Sequence, residues 1–374
     1  MRQEMHDRTV ERYLTDAGYK LRPGSLSFLR RGMMGSHIFR VDILDNHGKQ
    51  FVPVIFKYHN DHHLIPREVE QYRRLKGALN EALVSLRSAG RNHFLIIEYV
   101  PHVKNLADLL REGKEERDED AQRAVRTVLQ FMTFAWTTFS LHSPTGVPTV
   151  YRTTLQRQRS GKPFGDLGYQ LKRMLGRLRS LPVVVNGCDL GFTALDAINE
   201  IHESFYNRRL LNRELLTHGD LNPGNILVAK GGAARIIDCR AVQCDEVGED
   251  WVRDLAYLAR CRNTETLQVC EGEALHDSNG KLVLNYEATF ARVTEALLKI
   301  CRDHGTKMSQ RKELCDPEWE QRFWLHMAAA SIAELRHLRQ RLRWEVIRGF
   351  PNLPTFMLGE AFLAVQKAKE VKRK

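Results

Sequence analysis

Apolar residues alternate, or run in short blocks, from Ser27 to Val100. Ser27–Arg31 and Ile38–Leu44 read as a strand pair joined by Gly32-Met33-Met34-Gly35-Ser36. Asp45-Asn46-His47-Gly48 is a turn signal, so another strand is expected from about Lys49, through Phe51–Tyr58. A helix follows from about Pro66, a good first-turn residue, to about Leu79. Phe94–Val100 reads as a short buried strand. Beyond Val100 the period becomes helical, over Leu106–Leu110, Asp118–Leu141, Thr193–Leu216, Glu249–Arg260, Tyr286–Arg302, Trp319–Arg348 and Thr355–Lys372. Leu195, Ile198, Ile201 and Phe205 recur at helical spacing after Thr193, a good N-cap. The stretch 143–188 is basic, punctuated by Pro and Gly, and reads as an insertion. The pattern predicts an α+β chain, with strands and one helix in residues 1–101 and mostly helices in 102–374.

Bulk properties narrow the class. At 374 residues the chain exceeds what one core usually holds, so two lobes are expected. An apolar share of 43% with 28% charged residues fits an ordinary globular protein. No apolar run approaches the ~20 residues that cross a bilayer. The charged first residues, Met1–Asp7, do not resemble a secretory signal. The seven cysteines include no C-x-x-C pair, so reduced thiols in the cytoplasm are expected, without a disulfide frame or zinc site. The net charge of +11 gathers in Arg152–Arg179, Arg336–Arg348 and Lys367–Lys374. It suits an anionic partner or simply solvated helix faces. No basic and aromatic residues interleave as on an RNA-binding sheet, so nucleic acid is not expected as partner. A peripheral membrane contact stays open.

The chemistry concentrates in His218-Gly219-Asp220-Leu221-Asn222-Pro223-Gly224-Asn225, with Ile236-Ile237-Asp238 soon after. Asp220 and Asn225 have the Asp-x-x-x-x-Asn spacing of a kinase catalytic loop. Phosphoryl transfer must neutralise a triphosphate, hold Mg²⁺ and orient an acceptor hydroxyl. Asp220 is expected to take the hydroxyl proton. Asn225, through its neutral amide oxygen, and Asp238, at the end of an apolar strand, are expected to hold metal. Pro223-Gly224 supplies the bend between Asp220 and Asn225. His218 reads as packing behind the loop.

His218–Val228 with Ile236–Asp238 resembles the aminoglycoside phosphotransferase and choline kinase-like superfamily, whose fold resembles protein kinases. Gly248–Ala256 is similar to that family's Gly-Asp…Asp-Leu-Ala stretch. The resemblance is strong over 190–260, weak over 25–110, and from 265 onward only a matter of helices. It implies a two-lobe fold with a small antiparallel-sheet N-lobe and a mostly helical C-lobe, using ATP and Mg²⁺. It further implies that Asp254 braces the catalytic loop. A lysine ending an apolar strand is also expected, and Lys57 follows Val54-Ile55-Phe56. Glu68 is its expected partner over Glu70, because Glu68 shares a helix face with Tyr72, Leu75 and Leu79. Gly32, Gly35 and Ser36 would cover the phosphates. Backbone groups at Glu98 and Val100, in Ile96–Pro101, would meet the adenine edge.

Departures from protein kinases are informative. Gly219 stands where they carry Arg, Asn222 where they carry Lys, and Cys239-Arg240 where they carry Phe-Gly. No Ala-Pro-Glu follows Asp254. These features favour a small-molecule acceptor over a protein. Glu246, Glu249 and Asp250 could serve a cationic acceptor such as an aminoglycoside or choline, whereas the Arg-rich helices suit an anionic one, such as a sugar phosphate. Arg253-Asp254-Leu255-Ala256 also resembles a stretch of the lipopolysaccharide-sugar kinases, and a non-catalytic nucleotide-binding module is the alternative from another class.

Overall fold

The computed structural model describes residues 2–31, 36–45, 48–59, 64–79, 82–90, 94–138, 171, 174–206, 217–238, 251–312, 314–341 and 352–373. The fold class is α+β, and the chain divides into two compact units. The first comprises Met1–Val103 and Arg235–Gln243; the second comprises Lys104–Ala234 and Cys244–Lys374.

The first unit is built on five antiparallel strands, β1 (Ser27–Arg31), β2 (His37–Leu44), β3 (Phe51–Tyr58), β4 (Leu86–Gly90) and β5 (Phe94–Glu98), in the order β1-β2-β3-β5-β4. Residues directly opposed across such strands share a face. Phe39 opposes Phe56, Val41 opposes Val54, and Phe56 opposes Ile96. That face forms a core with Val10 and Leu14 of a helix, α1 (Arg2–Asp16). The sequence pattern predicts only one helix here, which is α2 (Leu64–Leu79). In α1 charged residues surround the few apolar ones, so its helical stripe emerges only on packing.

In the second unit the described helices are α3 (Leu106–Glu112), α4 (Asp118–Thr138), α5 (Ala194–Tyr206), α6 (Trp251–Ala259), α7 (Val293–Ser309), α8 (Trp319–Arg341) and α9 (Leu353–Lys372). Thr193 caps α5 reciprocally: its Oγ1 accepts from Asp196 N at 3.1 Å, and Asp196 Oδ2 accepts from Thr193 N at 2.8 Å. Trp136, Trp251 and Trp319 follow one another at centroid spacings of 6.1 Å and tie α4, α6 and α8 together. Among the described residues, no helix is long and apolar enough to cross a membrane.

The second unit also carries strands where helix was expected. Tyr286–Thr289 pairs antiparallel with Val269–Gly272, and α7 starts only at Val293. Lys281–Leu284 pairs with His276–Ser278 and, in parallel, with Pro182–Val185. Asn279-Gly280, with φ of 52° and 74°, turns His276–Ser278 into Lys281–Leu284, and Asn186-Gly187, with φ of 49° and 78°, turns Pro182–Val185 into its antiparallel partner Cys188–Thr193. Adjacent left-handed residues of this kind match the twist of a two-residue hairpin, and Asn-Gly is its strongest sequence signal.

One glycine of α7 is fixed by packing. A Cβ on Gly305 would lie 2.3 Å from Trp319 Cζ3 and 2.8 Å from Leu255 Cδ2. Trp319 is held between Trp251 and Phe323 and cannot yield. Gly305→Ala is therefore expected to lower stability by about 1–3 kcal/mol through overpacking, outweighing the ~1 kcal/mol gain in helix propensity. Urea unfolding of the two chains measures the difference.

Candidate active site

The register of β3 decides where Lys57 points. It opposes Ile38 and Leu95, so it projects from the face opposite the α1 core. There its Nζ lies 2.8 Å from Glu68 Oε1 on α2 and 2.8 Å from Asp238 Oδ1. Asp238 belongs with this unit because the strand Ala234–Ile236 reaches the segment before β4. Ile236 N donates to Ala82 O at 2.7 Å, and Val84 N donates to Ile236 O at 3.0 Å. Past that strand the backbone turns into the left-handed region, with φ of 53° at Asp238, and Asp238 N donates to Tyr72 Oη at 3.1 Å.

Charge is concentrated and nearly dry. Lys57 is 9% exposed and Glu68 7%. Burial works against the ammonium, but Asp238 and Glu68 outweigh it and hold Lys57 above the ordinary lysine range. Burial pushes the Glu68 carboxyl up to about 6, with Lys57 opposing and Asp238 adding.

In the second unit, Asp254 of α6 braces the loop 218–225. Its Oδ2 accepts from His218 N at 2.8 Å and from Trp136 Nε1 at 3.3 Å, and its Oδ1 accepts from Gly219 N at 2.9 Å. Gly219 has φ of 77°, a conformation that a side chain disfavours, which accounts for glycine there. Burial pushes Asp254 up, opposed by His218 and these donors. His218 is fully buried, and its Nδ1 accepts from Asp220 N at 3.3 Å.

Two carboxamides hold Asp220. Asn222 Nδ2 donates to Asp220 Oδ1 at 3.1 Å; Asn225 Nδ2 donates to the Asp220 carbonyl at 2.8 Å and to its Oδ2 at 3.4 Å. A carbonyl only accepts, which fixes the Asn225 amide with Oδ1 turned away. That Oδ1 accepts no hydrogen bond among the described residues. Such an uncommitted neutral oxygen suits a hard cation.

Three neighbours of the loop escape sequence reasoning. Trp136 and Asp254 are 118 positions apart. Glu265 Oε2 lies so close to Gly224 that a Cβ there would come within 2.8 Å of it. Arg260, half-buried just past α6, pairs with Glu334; desolvation lowers its pKa, while Tyr257, Glu265 and Asp220 oppose.

The remaining predicted positions fall partly within and partly outside the described residues. Ser36 is buried just before β2, whereas Gly32 and Gly35 lie outside the described residues. Glu98 N donates to Ser85 O at 2.9 Å, so this N–H serves the sheet. Val100 lies beyond β5, outside any regular element. Glu246, Glu249 and Asp250 are outside the described residues, as is most of 143–188. Among the described residues, no cluster of three or more His, Cys, Asp or Glu forms a self-sufficient metal cage.

No protein-family model matches the chain, and no curated protein does. Among solved structures it is similar to the macrolide 2'-phosphotransferase MphH from Brachybacterium faecium, at 12% identity and TM-score 0.48 over 94% of this chain and 98% of that one. It is similar to the streptomycin-ATP-APH(2")-IIa ternary complex, at 18% identity and TM-score 0.47 over 94% and 97%. A choline/ethanolamine kinase family protein from Mesorhizobium loti gives 12% identity and TM-score 0.40 over 97% and 99%. Likeness of this degree assigns neither family nor activity.

Proposed function

We propose that the chain is a phosphotransferase that moves the γ-phosphoryl group of ATP, with Mg²⁺, onto a hydroxyl of a small molecule. One observation carries the reading: a nearly dry lysine shared, at 2.8 Å each, by the carboxylates of Glu68 and Asp238. A buried charge set of this kind is costly to desolvate, and such sets gather at functional sites. Lys57 would neutralise nucleotide phosphate, with Glu68 fixing its Nζ. Asp220, oriented by Asn222 and Asn225, would take the acceptor's proton. Asp238 and Asn225 would hold Mg²⁺, which supplies neutralisation of the charge that develops on the phosphate oxygens. A carboxylate and an amide oxygen suit an ion that keeps water and phosphate among its ligands. The short, glycine-bearing loop without an arginine before Asp220 favours a small acceptor. Its charge stays open, because Glu265 and Arg260 both lie close to the loop.

The test is a mass-spectrometric screen of a metabolite extract with ATP and Mg²⁺, comparing the native chain with Asp220→Ala. A phosphorylated product formed by the native chain alone supports the reading. No such product in either sample counts against it.

Glu68 gives a pH prediction. Ionised, it holds Lys57; protonated, it releases it. Nucleotide affinity is therefore expected to fall as pH drops through about 6. Glu68→Gln should remove that dependence and weaken binding at pH 7 by about tenfold. Folding runs the other way. The pKa of about 6 lies above the ordinary 4.5, so this carboxyl's contribution to stability is full below 4.5 and is lost as pH rises through 6. Calorimetric ADP titrations between pH 5 and 8, as a measurement range of ~3 units, resolve the effect.

A further inference from the structure

We propose that Tyr72 is a positioning residue that sets the Asp238 carboxylate for the metal ion; the inference rests on the phosphotransferase reading. Asp238 is a non-glycine residue with φ of 53°, and it sits just past a strand whose own N–H and C=O are spent on Ala82 and Val84. Turning out of the ladder in this way takes the Asp238 N–H away from strand partners. Tyr72 Oη accepts it at 3.1 Å. Tyr72 is 1% exposed, so the hydroxyl is brought to that point by a ring locked in packing.

The same helix face carries Glu68, one turn earlier on α2. Glu68 fixes Lys57, Tyr72 fixes the backbone of Asp238, and the Lys57–Asp238 pair at 2.8 Å closes the circuit. One rigid helix therefore sets the spacing between the phosphate-binding cation and the metal-binding anion. Packing alone does not require the hydroxyl, because a phenylalanine would fill the same apolar space. The oxygen meets a backbone donor 166 positions away.

The experiment uses the full chain and ADP as probe, titrated with Mg²⁺ and again in EDTA, for native protein, Tyr72→Phe and Glu68→Gln. Tyr72→Phe is expected to bind metal-free ADP as the native chain does. Its gain in affinity on adding Mg²⁺ should shrink by about five- to tenfold. Glu68→Gln should instead weaken metal-free binding. In a parallel hydrogen-exchange measurement, the Asp238 amide should be protected in the native chain and exchange about tenfold faster in Tyr72→Phe. An unchanged Mg²⁺ gain in Tyr72→Phe overturns the inference while leaving the phosphotransferase reading intact. Equal weakening with and without metal overturns it too, since that marks a general packing role. A native chain with no Mg²⁺-dependent gain in ADP binding overturns both. Should Tyr72→Phe fail to fold, the native amide decides: an unprotected Asp238 N–H overturns the proposal.

Discussion

Replacing Asp220 by alanine is expected to lower kcat by about 10²- to 10⁴-fold, the range that a positioned general base contributes, with nucleotide affinity little changed. The loop should survive the change. Its own backbone bonds, Asn222 N to Asp220 O at 2.8 Å and Asn225 N to Asn222 O at 2.9 Å, do not use the Asp220 side chain. Neither does the brace from Asp254 to His218 and Gly219. What is lost is the carboxylate held by two carboxamide donors. Asp220→Asn should lose nearly as much, because a neutral amide cannot take the hydroxyl proton. Steady-state rates, ADP binding and thermal unfolding on the same preparations separate lost chemistry from lost structure.

Asp254→Ala should have the largest effect on the fold. Asp254 is 1% exposed, and its carboxylate accepts from two backbone N–H groups and one indole N–H. Truncation leaves three buried donors without a partner, at about 1–3 kcal/mol each in isolation. Partial relaxation brings the expected cost to about 3–5 kcal/mol, a large share of the ~5–15 kcal/mol that a folded chain commands. Asp254→Asn keeps one accepting oxygen but turns an N–H₂ toward donors, so it should fall between the native chain and alanine. Urea midpoints give the order. Activity should fall further than stability in Asp254→Asn, because His218 and Gly219 set the position of Asp220.

How far the sequence discloses this depends on the range of each interaction. Strands such as Phe51–Tyr58 are legible because alternation is a local signal. The loop at Asp220 is legible because its residues are contiguous. The Asn-Gly turn before Lys281–Leu284 is a local signal, but the helical period read from Tyr286 hides the strand Tyr286–Thr289, whose partner Val269–Gly272 lies earlier in the chain. Helix α1 is different, since Val10 and Leu14 acquire meaning only against Phe39 and Phe56. Tyr72 shows the limit most clearly. Helical spacing places it on the inner face of α2, but its hydroxyl acquires a purpose only once Asp238 is seen to join the first unit through Ile236. No periodicity encodes a bond across that distance.

Lys57 and Asp220 are proposed to serve a single transfer. The most direct test is transfer from ATP labelled in the γ-phosphoryl group, using the acceptor found by the metabolite screen, in the native chain, Lys57→Ala, Asp220→Ala and the double variant. The account predicts labelled product from the native chain, a steep loss in each single variant, and a double variant scarcely worse than the poorer single, as for groups acting in one step. Label passing to the acceptor at the native rate in either single variant would contradict it.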